Sequence, residues 1–257
     1  PPRSTPKPSS AASDVYKRQP HEATPVDETT MTNLIDVVRK YVNERLIPLE
    51  PKISEEDKIP EEVVQEMRDL GLFGLTIPQE YGGIGLNTEQ ECRVVMELGR
   101  TSPAFRSIFG TNNGIGSQGI VMDGTNEQKL YYLPKLASGE IIGSFALTEP
   151  EAGSDAGSLQ TKATLEGDEY VLNGTKRYIT NAPNAQLFTV FARTDPSTNN
   201  SRGVSAFLVD SKLPGISLGQ PYKKMGQQGA HVCDVVFENC RVPAAQMLGG
   251  PKKINQG

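Results

Sequence analysis

Three groups of residues have types and spacing that could carry chemistry. Glu149, Glu151 and Asp155 crowd one short segment, Gly143-Ser-Phe-Ala-Leu-Thr-Glu-Pro-Glu-Ala-Gly-Ser-Asp155. Paired carboxylates suit acid–base work such as glycoside hydrolysis, yet acids in a Gly-rich loop are ordinarily solvated or tied to backbone amides. Gly114-Ile-Gly116-Ser-Gln-Gly119 is a formal G-x-G-x-x-G. A dinucleotide site needs that pattern directly after a buried strand and at the opening of a helix, where the helix N-terminus meets pyrophosphate. Phe109-Gly-Thr-Asn-Asn113 is no strand and no βαβ alternation surrounds it, so these glycines read as close-packing residues. His21 and His231 are the only histidines, and Cys92, Cys233 and Cys240 the only cysteines. Neither H-E-x-x-H nor C-x-x-C occurs, which argues against a protein-held metal. Cys233 and Cys240 lie seven apart in one β-rich run, so they are expected on opposite faces as reduced thiols. His231 reads as a structural or surface histidine.

The elements that must position these groups come from a chain of 257 residues, 36% hydrophobic and 22% charged, with mean hydropathy -0.42. The formal net charge of -5 gives no basic field for nucleic acid or an anionic membrane. No apolar run reaches the ~18 residues of a membrane span. Residues 1–30 carry six prolines without periodicity and are expected to be a disordered tail, with 1–19 excluded as foreign sequence. From Met31 to Gly139 the period is helical. Leu34, Val37, Val38, Tyr41 and Val42 predict a first helix that Pro48 ends. Pro60-Glu-Glu opens a second helix that Gly71 stops. Thr88-x-x-Glu91 and Thr125-x-x-Gln128 read as capping boxes, and Pro103–Met122 as a small-residue helix that lets its neighbours pack closely.

From Glu140 the period becomes two. Phe188–Ala192, Val204–Val209 and Cys233–Phe237 are β-rich runs, and Glu166-Gly-Asp168 and Asn173-Gly174 read as hairpin turns flanking Tyr170-Val-Leu172. With no helix-length connection between strands, an antiparallel barrel or sandwich is expected. The expected architecture is thus α+β: a helical domain at 31–139, a β domain at 140–250, and a linker at 251–257. At the acidic segment, a strand over Phe145–Thr148 runs into Glu149-Pro150, which forces an extended turn. Ala152-Gly-Ser154 then exposes amides with little side-chain bulk. That suits a planar, phosphate-bearing ligand, but equally an ordinary turn.

The segment does not stand alone. It resembles the first signature of the acyl-CoA dehydrogenases, and its neighbours follow in the same order: Ile77-Pro-Gln-Glu-Tyr-Gly-Gly-Ile-Gly-Leu86, Glu97-Leu-Gly-Arg100, Gly124-Thr-Asn-Glu-Gln128, Asn173-Gly-Thr-Lys-Arg-Tyr-Ile-Thr-Asn181, Lys224-Met-Gly-Gln227 and Val235–Pro243. The resemblance implies an oxidoreductase that removes hydrogen across the α,β bond of an acyl-CoA thioester, passing hydride to FAD and electrons on to an electron-transfer flavoprotein. It also implies a homotetramer in fatty acid or amino acid catabolism, and the reduced thiols point to the cytoplasm. By position, Phe145, Leu147, Thr148, Ser154, Tyr178, Ile179 and Thr180 would contact FAD, with Ser154 also near the CoA chain. Tyr178 stands where the pattern usually has Trp, and Gln228-Gly-Ala-His-Val232 departs from a Ser/Thr-rich stretch. The family's catalytic base is a glutamate on a carboxy-terminal four-helix domain. No catalytic residue is therefore expected before Gly257, and the chain alone is expected to be inactive. Two other readings remain: a flavin monooxygenase or nitroalkane-oxidase relative, and a non-catalytic acyl-CoA or FAD binding module.

Overall fold

The computed structural model describes residues 26–251; the expectations for residues 1–25, His21 among them, and for 252–257 lie outside it. The first helix, α1 (Glu28–Tyr41), begins within the stretch expected to be tail. Asp27 caps it, its carboxylate accepting from the Thr29 and Thr30 amides at 3.0 Å each. Pro48 does not end this run. A π-helical turn (Val42–Leu46) lets the Ile47 N–H reach back to the Val42 carbonyl, and the chain enters α2 (Ile47–Glu56) with Pro48 in its first turn and Pro51 further in. Pro48 has no N–H to donate, and the wider π turn just before it lets the helical run continue past a residue that would otherwise break it.

The short helix α3 (Glu61–Asp69) buries Val63, Val64 and Met67 and stops at Gly71, whose φ of 71° only glycine adopts without strain. The next helix, α4 (Thr88–Leu98), is capped by Asn87 with Gln90, one residue before the expected pair. Tertiary contact selects that register: the buried Gln90 amide also donates to the Val26 carbonyl at 2.6 Å. The small-residue stretch forms α5 (Pro103–Asn113) and α6 (Gln118–Asp123). Helix, not strand, thus precedes Gly116, where a Cβ would stand 2.7 Å from the Thr111 carbonyl oxygen. Close packing is the role of that glycine. The last helix, α7 (Asn126–Ser138), carries the expected Thr125/Gln128 capping box.

Seven strands follow among the described residues: β1 (Gly143–Ala146), β2 (Lys162–Glu166), β3 (Glu169–Thr180), β4 (Leu187–Arg193), β5 (Val204–Asp210), β6 (Ile216–Leu218) and β7 (Val232–Pro243). They form one sheet in the order β1-β4-β2-β3-β7-β6, with β5 on β4. The sheet is mixed, which corrects the antiparallel expectation: β1 and β2 both pair with β4 in parallel. Parallel neighbours need a long crossover, and here the β2–β3 hairpin between β1 and β4 supplies it without a helix. Asn173-Gly174 is likewise no turn but lies inside β3, where the ladder to β7 slips register. The extra residue falls on β7 at Glu238-Asn239, with Asn239 at φ 51°. That bulge shifts the alternation of β7 by one, so Cys233 and Cys240 are buried in the same core and not on opposite faces. Both are free thiols.

Each half of the chain has its own apolar core. A third cluster, with Ile120, Leu133 and Leu136 from α6 and α7 against Leu187 and Leu208 from β4 and β5, joins them. Ala230, from the loop before β7, is buried in the helical core.

Candidate functional site

The segment singled out first runs from β1 across to the far half of β3. The Ser144 hydroxyl donates to the Thr180 carbonyl at 2.5 Å, and the Arg177 amide donates to the Thr148 carbonyl at 2.7 Å. These bonds place Leu147 and Thr148 beside Tyr178–Thr180, two segments far apart in sequence. Phe145 is half-buried, with its ring 4.9 Å from that of Phe191. Leu147, Thr148 and Thr180 are also half-buried, and Ser154 is exposed. The Ile179 side chain is only 2% exposed and belongs to the β core. Its neighbour Tyr178 is 59% exposed.

Backbone geometry explains why neighbours differ so much. Between Lys176 and Ile179 the β3–β7 ladder slips register with the extra residue on β3, and Tyr178 sits at φ 59°. An aromatic residue in left-handed backbone is uncommon, and such strain concentrates at functional positions. The bulge turns the Tyr178 ring out of the sheet, over the Tyr222 ring at 5.1 Å.

Beneath this edge lies a buried ion pair that sequence reasoning missed. Lys176 is 0% exposed and Glu149 5%. The Lys176 ammonium donates to Glu149 Oε1 at 2.7 Å and to the Leu147 carbonyl at 3.1 Å. Glu149 also accepts from the Gln160 amide at 2.5 Å and the Thr161 amide at 2.9 Å, closing the loop between β1 and β2. Burial pushes the Glu149 carboxyl upward, but hydrogen bonds from Lys176, Thr161 and Gln160 outweigh it and hold the carboxyl below its ordinary value. Burial pushes the Lys176 ammonium down, and Glu149 opposes that shift. Glu149 is thus a structural anion. The signal for it was present, since an acid before Pro150 and a lysine inside a β-rich run are both unusual core residues.

The bulged strand is fastened to the helical half at its end. Asn181, at φ 62°, donates from its side chain to the Ser107 carbonyl at 2.7 Å and to the Thr111 hydroxyl at 3.0 Å. Its backbone amide donates to the His231 carbonyl at 2.9 Å. His231 Nε2 in turn donates to the Asp57 carbonyl at 2.8 Å, and the Asp57 carboxylate accepts from the Gly229 amide at 2.6 Å. The departing stretch Gln228–Val232 therefore bridges the two halves. A polar cleft of about 370 Å³ opens beside it, lined by Glu50, Ser54, Arg100 and Gln228 among others. Among the described residues no three His, Cys, Asp or Glu side chains gather as metal ligands, and no helix is long and apolar enough to cross a membrane.

An outward aromatic face beside two half-buried threonines, with a small-residue loop where a Cβ at Gly153 would meet nothing, fits a flat ligand with a polar edge. Comparison with known proteins identifies the family. Residues 28–140 match the acyl-CoA dehydrogenase N-terminal domain and residues 144–240 the acyl-CoA dehydrogenase middle domain. The chain is 38% identical to the mitochondrial isovaleryl-CoA dehydrogenase of Pongo abelii, over 91% of its own length and 57% of that protein's. Among solved structures it is similar to butyryl-CoA dehydrogenase from Megasphaera elsdenii (TM-score 0.83, 30% identity, 90% of this chain and 61% of that one). It is also similar to an acyl-CoA dehydrogenase from Bacillus anthracis complexed with FAD (TM-score 0.80, 34% identity, 90% and 39%). The chain thus spans little more than half the length of the curated relatives it matches. Two successive domain models matched in order, over the fold described above, establish that the chain belongs to the acyl-CoA dehydrogenase family.

Proposed function

We propose that this protein is part of a flavoenzyme that oxidises an acyl-CoA thioester to the 2-enoyl-CoA. The observation that carries this reading is the junction of β1 with the bulged end of β3, which puts an exposed Tyr178 ring beside Thr148 and Thr180. FAD, when bound, supplies the acceptor for the hydride that leaves the β-carbon. The residues of this chain bind and orient. Tyr178 offers a ring face, Thr148 and Thr180 offer hydroxyls, and Phe145, Leu147 and Ile179 form the apolar backing. Ser154, exposed on the open loop, meets cofactor and CoA chain together in this reading. The α-proton is taken by a carboxylate outside residues 26–251, a reading supported by the commitment of Glu149 to Lys176 and two amides. Residues 31–139 and 140–250 act as the helical and β domains, and electrons pass to an electron-transfer flavoprotein. Free cysteines support a cytoplasmic enzyme, and family membership a homotetramer.

The test is direct. The purified protein is expected to take up FAD with a flavin absorption band, and acyl-CoA is expected to bleach that band once the base is present. A protein that takes up no FAD overturns the reading. Enzymatic turnover by residues 1–257 alone would place a base within them and overturn the assignment of the proton transfer.

A further inference from the structure

Three residues around Tyr178 are left unexplained by the reading above. Asp234, on β7, faces the bulge and is mostly buried, its side chain 19% exposed. Its Oδ1 accepts from the Tyr222 hydroxyl at 2.9 Å and lies 3.4 Å from the Tyr178 amide; its Oδ2 lies 3.5 Å from Arg177 Nε. One carboxylate thus touches both residues of the bulge and the ring against which Tyr178 rests. The Arg177 guanidinium carbon also lies 5.9 Å from the Tyr178 ring centroid. The Tyr222 phenol is held above its ordinary value, first by its hydrogen bond to Asp234 and then by burial. A left-handed aromatic persists only where its surroundings over-determine it. Here those surroundings converge on Asp234.

We propose that Asp234 and Tyr222 are positioning residues for the cofactor wall: Asp234 clamps the Arg177-Tyr178 bulge and Tyr222, and Tyr222 props the Tyr178 ring at the angle that meets the flat face of the flavin. The inference rests on the functional reading above. It extends the wall to Tyr222, a residue outside both strands that the sequence marked, and gives the positive φ of Tyr178 a purpose. The clamp is made of side chains from β3, β7 and the segment before β7.

The experiment uses protein loaded with FAD and reads the dissociation constant together with the fluorescence of bound flavin, which a stacked aromatic ring quenches. Wild type, Asp234→Ala, Asp234→Asn, Tyr222→Leu and Tyr222→Phe are compared. Asp234→Ala and Tyr222→Leu are expected to raise the dissociation constant roughly three- to tenfold, the worth of one aligned aromatic contact, and to brighten bound flavin. Asp234→Asn keeps an acceptor oxygen and is expected to restore the quenching. Tyr222→Phe keeps the ring and is expected to fall between. Tyr222→Leu leaves Asp234 intact, so it tests the wall even if Asp234→Ala fails to fold. Unchanged quenching in both Asp234→Ala and Tyr222→Leu overturns the proposal, as does weaker binding with quenching intact. Failure of wild type to take up FAD overturns the functional reading instead, and this inference with it.

Discussion

Strand β3 slips out of register with β7 twice, and the two slips are built from opposite materials. At the first, the extra residue is Asn239 on β7, whose amide donates to Asn173 Oδ1 at 2.8 Å while Asn173 faces it across the ladder. Asparagine tolerates the left-handed region, and Gly174 alongside lets β3 run tight against Thr161. At the second, the extra residue is Tyr178, whose bulk resists the same backbone. The first uses residues suited to the bend and presents nothing. The second sets an aromatic ring in an unfavourable backbone and faces it outward. A bulge made from permissive residues repairs a sheet, whereas one made from a resistant residue marks a surface the fold holds in place. Lys176 lies between the two, and its pair with Glu149 ties β3 to the loop after β1.

The largest effect should come from breaking that pair. Lys176→Met leaves the Glu149 carboxylate buried without its cation and is expected to cost about 3–5 kcal/mol, read from urea denaturation. Glu149 also predicts a pH dependence. Its folded pKa lies below the ordinary 4.5, so its contribution is complete at neutral pH and is lost as acid protonates it through the lowered value. Glu149→Gln should flatten that acid limb, and an acid limb as steep in the variant as in wild type would assign the dependence elsewhere.

Next is the permissive side of the comparison. A Cβ at Gly174 would overlap Thr161 Oγ1 and stand 2.7 Å from the Thr161 Cα. Gly174→Ala is expected to destabilise by about 1–3 kcal/mol with little change in FAD affinity, a split that denaturation and flavin titration together would reveal. A smaller effect separates the two left-handed residues. At Tyr178, glycine should be more stable than alanine by about 1 kcal/mol, the reverse of an ordinary strand position, though both lose the flavin-quenching ring. Thermal midpoints in the reverse order would show that the bulge relaxes once the ring is gone. The smallest effect is expected for Arg241→Ala. Arg241 pairs with Glu166 at 2.7 Å and Glu169 at 3.4 Å, but all three are exposed enough for solvent to screen them, so the melting midpoint should not move measurably.

Local chemistry was legible wherever a few adjacent residues settle the outcome. Thr125 with Gln128, Gly71 after α3 and the change of period near Gly139 were all readable for that reason. The errors arose where two local solutions were equally good. Asn87 and Thr88 are both sound caps, and a contact to Val26 chose between them. Asn-Gly suits a hairpin or a bulge, and Pro48 suits a helix end or the first turn of a resumed helix. The same ambiguity hid the site's framework. Glu149 reads as a loop acid, solvated or tied to backbone amides; the amides are there, but its cation Lys176 lies a hairpin away.

The order and identity of the residues fix the family, the division into helical and β halves, and the two segments proposed for the flavin edge. Their motifs are contiguous, and contiguous residues carry their chemistry wherever the chain goes. Strand direction in the sheet, the common face of Cys233 and Cys240, the Glu149–Lys176 pair and the clamp of Asp234 on Tyr178 and Tyr222 depend on which strands become neighbours and where their register slips. One extra residue in a ladder reverses which side chains face the core. That reversal depends on long-range pairing, so it became visible only in the folded chain.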